Sequence, residues 1–224
     1  MLNRKKKYLQ IALNSTLDEA YSIIRSLPSS DRIIIEAGTP LIKRYGMEAI
    51  SSLKSWWEDQ LSTGEVEPYV VADLKTIDRG ETEVRYAYQF GASGVIASGQ
   101  APLETLNTFI KTASELKIDS MVDMMNIEQP YKTLRKLKKL PEVVILHRGV
   151  DEEVFNKDKP VPYLLINKVR ASYSLMISIA GGDTIREVQR AVFNDADIVV
   201  VWKEFFKASQ DTGKLAEDFL KMIK

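Results

Sequence analysis

Cysteine is absent from the 224 residues of this chain, and histidine occurs once, at His147. Without cysteine the protein can form no disulfide, no thiolate metal site and no cysteine nucleophile. An excess of one charge is also lacking, because Lys plus Arg and Asp plus Glu both number 31 and the formal net charge is zero. We therefore expect no nucleic-acid partner and no anionic-membrane partner, and an anionic ligand would have to be held by local groups.

Long apolar runs are missing as well. No stretch approaches the roughly 18 consecutive apolar residues that cross a bilayer. The basic run from Arg4 to Lys7 is followed by an apolar stretch that Gln10 interrupts and that ends at Asn14, so we expect neither a signal peptide nor a membrane role. The chain contains no dinucleotide fingerprint and no Walker-type phosphate loop. A cytoplasmic location is the expectation, and the absence of cysteine agrees with it.

Short apolar runs alternate with amphipathic segments along the whole chain. The apolar runs predict strands at Tyr8–Leu13, Arg32–Glu36, Tyr69–Asp73, Gly94–Ala97, Ser120–Asp123, Val143–Leu146, Leu175–Ile179 and Ile198–Val201. The amphipathic segments predict helices at Leu17–Ser26, Thr82–Phe90, Leu103–Leu116, Gln129–Leu140, Ile185–Phe193 and Lys214–Ile223.

Eight strands alternating with helices in a chain of this length favour an α/β fold with a parallel sheet, closed as a (β/α)8 TIM barrel. No linker rich in Pro, Gly or Ser divides the chain, so residues 1–224 are predicted to form a single domain. The irregular stretch Val150–Pro162 is interpreted as a loop of the barrel. Function in such barrels lies at the carboxyl ends of the strands, and the polar residues found there deserve most weight.

Acidic and basic residues end the second and third predicted strands. Asp73 and Lys75 are two residues apart, so their side chains should lie on one face and form an ion pair. Such a lysine can stabilise negative charge on a substrate oxygen. Glu36 ends the neighbouring strand, and with Asp73 it forms a pair of oxygen ligands suited to Mg²⁺. The alternative is that all three form ion pairs that only fix the fold.

His147 follows the sixth predicted strand and is a candidate for proton transfer, although a lone histidine is often structural. The sequence around Gly181 and Gly182 lies between the seventh strand and a helix, where barrels commonly bind phosphate. A simple turn is the alternative interpretation there. Asp183 could instead cap the helix, which would place a negative charge beside the phosphate.

The motifs at these positions resemble those of the 3-hexulose-6-phosphate synthases, in the orotidine-monophosphate decarboxylase suprafamily. The resemblance extends from about residue 8 to residue 201 and rests on these segments: Glu36-Ala-Gly-Thr-Pro-Leu-Ile-Lys43 with Gly46-Met47, Asp73-Leu-Lys75-Thr-Ile-Asp78 with Gly80 and Glu83, Ser98-Gly-Gln-Ala-Pro102 with Thr105, Val122-Asp123, His147-Arg-Gly-Val-Asp151 and Ala180-Gly-Gly182.

The resemblance implies a carbon–carbon lyase of the aldehyde-lyase class. Mg²⁺, or Mn²⁺ as an alternative, would be held by Glu36 and Asp73 and would bind ribulose 5-phosphate, with formaldehyde as the second substrate. Lys75 would steady the enediolate and His147 would move protons. Asp78 would reach across an interface into the neighbouring site, which implies a homodimer with shared active sites.

The chain departs from the family pattern in three places, one of them a pair of residues. Asn14 stands where the family has an aspartate, and it keeps hydrogen-bonding capacity without the charge. Trp202-Lys203 replaces a Gly-Arg pair at the phosphate, so Lys203 is the candidate cation there. Glu153 stands where the synthases usually carry glutamine. These departures leave open a slow enzyme, a shifted substrate, or a paralogue that has lost the activity and only binds a sugar phosphate.

A related decarboxylase or aldolase is the other alternative. The 3-keto-L-gulonate-6-phosphate decarboxylases share the metal and lysine residues but carry arginine at the position of Val150. The pattern from His147 to Asp151 therefore favours the synthases over the decarboxylases.

Overall fold

The computed structural model of the protein describes residues 1–61, 66–156, 158–182, 184–207 and 211–223, with the backbone alone at residue 207. Eight parallel strands pair in sequence order, and the last pairs with the first to close a barrel. The strands are β1 (Tyr8–Leu13), β2 (Ile33–Ala37), β3 (Val70–Thr76), β4 (Gly94–Ser98), β5 (Asp119–Asp123), β6 (Val143–His147), β7 (Met176–Ala180) and β8 (Ile198–Val201). The predicted (β/α)8 barrel is confirmed, and every predicted strand is present with bounds that differ by at most a few residues.

Helices follow the strands and cover the barrel from outside. They are α1 (Leu17–Ser26), α2 (Thr39–Tyr45), α3 (Glu48–Gln60), α4 (Gly80–Gln89), α5 (Leu103–Glu115), α6 (Pro130–Lys136), α7 (Val150–Phe155), α8 (Tyr163–Arg170), α9 (Ile185–Phe193), α10 (Lys203–Lys207) and α11 (Thr212–Met222). Among the described residues, none of these helices has the length and apolar character needed to span a bilayer.

The interpretation of Val150–Pro162 as a loop is wrong for its first half, where α7 forms. The Glu152 carboxylate accepts a hydrogen bond from the backbone N–H of Gly149, at 2.9 Å, which satisfies a donor at the start of this helix. The acidic residues of the first turn also oppose the helix dipole. The predicted helix Gln129–Leu140 is shorter than expected, because the backbone turns extended at Leu137.

Alternation along the strands separates two apolar layers. Side chains that point outward, such as Ile33 and Ile35, join the large core between the barrel and its helices. Side chains that point inward, such as Ile34 and Val71, fill the barrel itself. Toward the carboxyl ends the inward positions become polar, and this change from apolar filling to polar groups creates the site.

Candidate active site

A cavity of about 480 Å³ opens at the carboxyl ends of the strands. Most of the residues predicted from sequence line it together, namely Asn14, Glu36, Asp73, Lys75, His147 and Gly181. Gly182, Lys203 and Asp78 are described residues that do not line this cavity. The predicted residues that line the cavity therefore come from the ends of β1, β2, β3, β6 and β7.

The segment after β2 arranges the rim through three consecutive residues. Gly38 leaves room for the Asn14 side chain, since a Cβ at Gly38 would lie 1.9 Å from Asn14 Oδ1. The Thr39 hydroxyl donates to Asp73, at 2.8 Å to the backbone oxygen and 3.0 Å to Oδ2. Pro40 occupies the first turn of α2, where its missing N–H costs no hydrogen bond. The Gly-Thr-Pro sequence thus joins β1, β2 and β3 at one edge.

Glu36 lies inside the barrel with only 6% of its surface exposed. The Gln10 amide, fully buried, donates to Glu36 Oε2 at 2.5 Å. Burial and the nearby Asp73 carboxylate raise the pKa of Glu36 to about 7. A carboxylate in this environment is stabilised by a cation, and Lys75 supplies part of that stabilisation.

Lys75 lies between two carboxylates. Its Nζ is 2.6 Å from Asp73 Oδ2 and 2.9 Å from Asp123 Oδ2. Burial alone would lower the pKa of Lys75, but Asp73, Asp123 and Glu36 together raise it well above its usual value. The amine is therefore a fixed cation and not a general base at neutral pH.

The predicted pairing of Asp73 with Lys75 is present, although regular alternation does not produce it. The pairing of β3 with β4 shifts register between Ala72 and Thr76, and Lys75 has a left-handed backbone with φ of 47°. Such a conformation costs a non-glycine residue about 1–3 kcal/mol. The strain falls at the residue whose side chain bridges Asp73 and Asp123.

Asp123 is a functional residue for which the sequence predicts no role beyond ending β5. It joins Lys75 to His147. Its Oδ2 lies 2.7 Å from His147 Nδ1, while its Oδ1 accepts the backbone N–H of Met125 at 2.8 Å. Burial opposes ionisation of Asp123, yet His147 and Lys75 lower its pKa. Its position at the tip of β5 was the available signal.

The carboxylates fit the predicted divalent cation. Asp73 Oδ1 and Gln10 Oε1 are buried and have no hydrogen-bond partner among the described residues. Buried polar oxygens are nearly always satisfied, so two such atoms beside Glu36 indicate space for a further polar group or ion. No cluster of three or more His, Asp or Glu side chains in the described parts of the chain has metal-site geometry. Mg²⁺ needs only one or two protein carboxylates, so this finding does not conflict with Glu36 and Asp73 as ligands.

The end of the cavity that is predicted to bind phosphate contains more charged side chains than the sequence predicts. Arg148, for which the sequence predicts no role, donates from Nη2 to the backbone oxygen of Gly181 at 2.6 Å. Lys203 Nζ lies 2.5 Å from Glu153 Oε2. Gly181 has φ of 92°, and a Cβ there would lie 2.2 Å from the backbone oxygen of Arg148. Glycine is therefore required at this close approach of β6 to β7.

The start of α9 is capped by Thr184, whose hydroxyl accepts the Glu187 N–H at 3.3 Å. Asp183, the alternative candidate for capping this helix, lies outside the described residues. Gly182 lies beside this cap, where a Cβ would meet Glu187 Cβ at 2.9 Å. Asp78 is exposed in the segment between β3 and α4 and does not line the cavity of its own chain.

Comparison with known proteins identifies the family. The chain is 37% identical over 221 residues to the Bifunctional enzyme Fae/Hps of Methanocella arvoryzae, covering 97% of this chain and 53% of the relative. It is 39% identical over 212 residues to the enzyme of the same name from Archaeoglobus fulgidus, covering 92% of this chain and 50% of the relative. The chain thus spans about half the length of the curated relatives it matches.

Solved structures agree with this assignment. The crystal structure of 3-hexulose-6-phosphate synthase from Salmonella typhimurium matches with a TM-score of 0.84 at 26% identity, covering 96% of this chain and 98% of that one. The orotidine 5'-monophosphate decarboxylase of Methanocaldococcus jannaschii, at 19% identity and a TM-score of 0.73, shares the fold. Residues 7–217 match the sequence pattern of a single family. The chain belongs to the orotidine 5'-phosphate decarboxylase / HUMPS family.

Proposed function

We propose that this chain is a 3-hexulose-6-phosphate synthase, which adds formaldehyde to C1 of ribulose 5-phosphate or catalyses the reverse cleavage. The observation that carries the proposal is the position of Lys75 between Asp73 and Asp123, with His147 on the same Asp123 oxygen. The similarity to the archaeal Fae/Hps enzymes and to the Salmonella synthase supports it.

The reaction needs a proton to leave C1 and an enediolate to form. The enediolate carbon then attacks the formaldehyde carbon, and a proton is delivered to the resulting alkoxide. His147 is proposed to move these protons, because Asp123 raises its pKa despite burial and holds its Nδ1. Lys75 is proposed to stabilise the enediolate oxygens as a permanent cation.

A divalent cation, Mg²⁺ or alternatively Mn²⁺, is proposed to bind at Glu36 and Asp73. When bound there it would act as a Lewis acid toward the sugar oxygens. The unpartnered Asp73 Oδ1 supports this assignment, as does the pKa of Glu36, which burial and Asp73 raise to about 7. Asn14, at the same rim, is proposed to donate to a sugar hydroxyl.

A homodimer with shared sites is also part of the proposal. Asp78 is exposed, and the large apolar side chains Ile77 and Tyr86 nearby are 53% and 52% exposed. Mixing inactive Lys75→Ala with inactive Asp78→Ala tests sharing directly. Mixed dimers would hold one intact site, so activity should return in part. Failure to regain any activity after subunit exchange would contradict shared sites.

The proposed location is cytoplasmic, where phosphorylated sugars are substrates.

The central assay follows formaldehyde consumption with ribulose 5-phosphate and Mg²⁺. Lys75→Ala should lower the rate by about two to three orders of magnitude, as expected when a group that stabilises an oxyanion is removed. Lys111→Ala is the matched control, because Lys111 is an exposed lysine whose ion pair, among the described residues, is with Glu115 on α5. Absence of wild-type turnover, or equal rates for both variants, would contradict the proposal.

The decarboxylase alternative is less well supported. Val150 lines the cavity where the 3-keto-L-gulonate-6-phosphate decarboxylases carry arginine, so an apolar side chain replaces a cation. Solved decarboxylases of that type match at 19–23% identity, which shows the fold alone. A carbon dioxide assay with 3-keto-L-gulonate 6-phosphate separates the two activities. The non-catalytic alternative rests on Asn14 and Trp202, and turnover in the aldol assay would exclude it.

A further inference from the structure

Glu153 lies between two cationic side chains at one end of the cavity. Its Oε2 is 2.5 Å from Lys203 Nζ, and its Oε1 is 4.0 Å from Arg148 Nη2. Glu153 and Arg148 both line the cavity, and the side chain of Glu153 is 32% exposed. A carboxylate therefore occupies the position between two cations to which an anionic ligand would be attracted.

Arg148 is held in place by a backbone hydrogen bond. Its side chain is 12% exposed, and Nη2 donates to the backbone oxygen of Gly181 at 2.6 Å. Its Nε is buried and has no hydrogen-bond partner among the described residues. Glu187 contributes a second carboxylate, 3.6 Å from Arg148 Nη2, but the capping of α9 by Thr184 and Glu187 fixes it in place. Of the two described carboxylates near Arg148, Glu153 is the one that can move away without breaking a helix cap.

We propose that Glu153 is an internal competitor of the anionic ligand, so that a phosphate group binds between Arg148 and Lys203 only by displacing the Glu153 carboxylate. The proposal rests on the proposed function in one respect, that the ligand is a sugar phosphate. A phosphate dianion attracts both cations more strongly than a single carboxylate does, whereas a monoanionic or neutral sugar gains too little to replace Glu153. The glutamate would thus weaken the binding of phosphorylated sugars, because displacing it offsets part of their interaction energy, and leave the binding of free sugars unchanged.

Glu153→Gln tests this inference, because it keeps the shape and removes the charge. Binding of inorganic phosphate, D-ribulose 5-phosphate and D-ribulose is measured by calorimetry on the whole chain. We expect the two phosphates to bind about three- to tenfold more tightly to Glu153→Gln, the range typical of a partly exposed ion pair, with D-ribulose unchanged. Glu115→Gln is the control, since it removes one surface carboxylate from α5 at the opposite end of the barrel.

A double-mutant cycle tests whether Lys203 is the cation that the Glu153 carboxylate neutralises. In a Lys203→Met background, Glu153→Gln should tighten phosphate binding less than in the wild type, because the carboxylate no longer has that cation to neutralise. Thermal unfolding of each variant shows that the fold is intact.

The outcomes separate this inference from the proposed function. Weaker or unchanged phosphate binding in Glu153→Gln overturns the inference, because the glutamate would then position Lys203 for the ligand. Tighter phosphate binding supports the inference even if wild-type protein and formaldehyde give no turnover, a result that would overturn only the proposed function.

Discussion

Asp123 Oδ2 lies 2.7 Å from His147 Nδ1, so a buried carboxylate orients the single imidazole of the chain. With Nδ1 engaged, Nε2 is the ring nitrogen that remains for proton transfer. The pairing also makes the titration of His147 a direct report on Asp123, because no second histidine contributes to the signal.

Replacement of Asp123 by asparagine should lower the pKa of His147. Burial lowers this pKa and the Asp123 carboxylate raises it, with a net increase above the usual 6.5. Removing the carboxylate leaves burial to dominate. The imidazole NMR signal measures the midpoint, and Asp218→Asn on the surface of α11 is the control. An unchanged midpoint in Asp123→Asn would mean that the ion pair with Asp123 does not determine the pKa of His147.

The same pair predicts a pH-dependent stability. A histidine whose folded pKa is raised stabilises the native state below its unfolded pKa, and the contribution fades as pH rises through the folded value. The difference in unfolding free energy between wild type and Asp123→Asn should therefore be largest below pH 6.5 and shrink as pH rises through the raised pKa of His147. Urea unfolding at a series of pH values measures it. A difference that grows with pH contradicts the assignment.

Glu36→Gln should stabilise the metal-free protein. The folded pKa of Glu36 is raised to about 7 by burial and by Asp73, so the ionised side chain destabilises the native state above that pH. At pH 8 the neutral amide should add about 1–3 kcal/mol to the unfolding free energy. Chelator-treated protein in urea provides the measurement. A lower unfolding free energy in Glu36→Gln would show that the ionised Glu36 side chain is stabilised in the native state without a bound cation.

Binding of Mn²⁺ gives the complementary result. The wild type should gain thermal stability on addition of the ion, because a ligand that binds only the native state stabilises it. Glu36→Gln should lose most of that gain and bind Mn²⁺ at least about tenfold more weakly by electron paramagnetic resonance. Glu58→Gln, an exposed change on α3, is the control. Equal binding in both variants would exclude Glu36 as a ligand.

Gly38→Ala should disturb the rim beside Asn14. The new methyl would lie 1.9 Å from Asn14 Oδ1, so a displacement costing about 1–3 kcal/mol is expected. Shortening Asn14 to alanine in the same chain should recover stability but not affinity for ribulose 5-phosphate. Thermal unfolding and calorimetry report the two effects. If the double variant stays as unstable as Gly38→Ala, the steric explanation is wrong.

Sequence patterns predicted the barrel and most of the site because the strands are short apolar runs ending in polar residues. Glu36, Asp73 and His147 could be located by that rule alone. The left-handed backbone of Lys75 could not, since regular alternation predicts the same pairing with Asp73 and gives no sign of the register shift that produces it. The contact of Lys203 with Glu153 joins residues 50 positions apart, and local pattern carries no signal for it. Helix α7 was missed because its six residues are too few for periodicity to emerge.

Exchange of the C1 proton of ribulose 5-phosphate tests the account most directly. In heavy water with Mg²⁺ and no formaldehyde, an enediolate can only return to substrate, and each return incorporates deuterium at C1. We predict incorporation by the wild type and by Lys111→Ala, and a rate lower by about two to three orders of magnitude in Lys75→Ala. A wild type that binds the sugar phosphate without exchange, or a Lys75→Ala variant that exchanges as fast, would contradict enediolate stabilisation by Lys75.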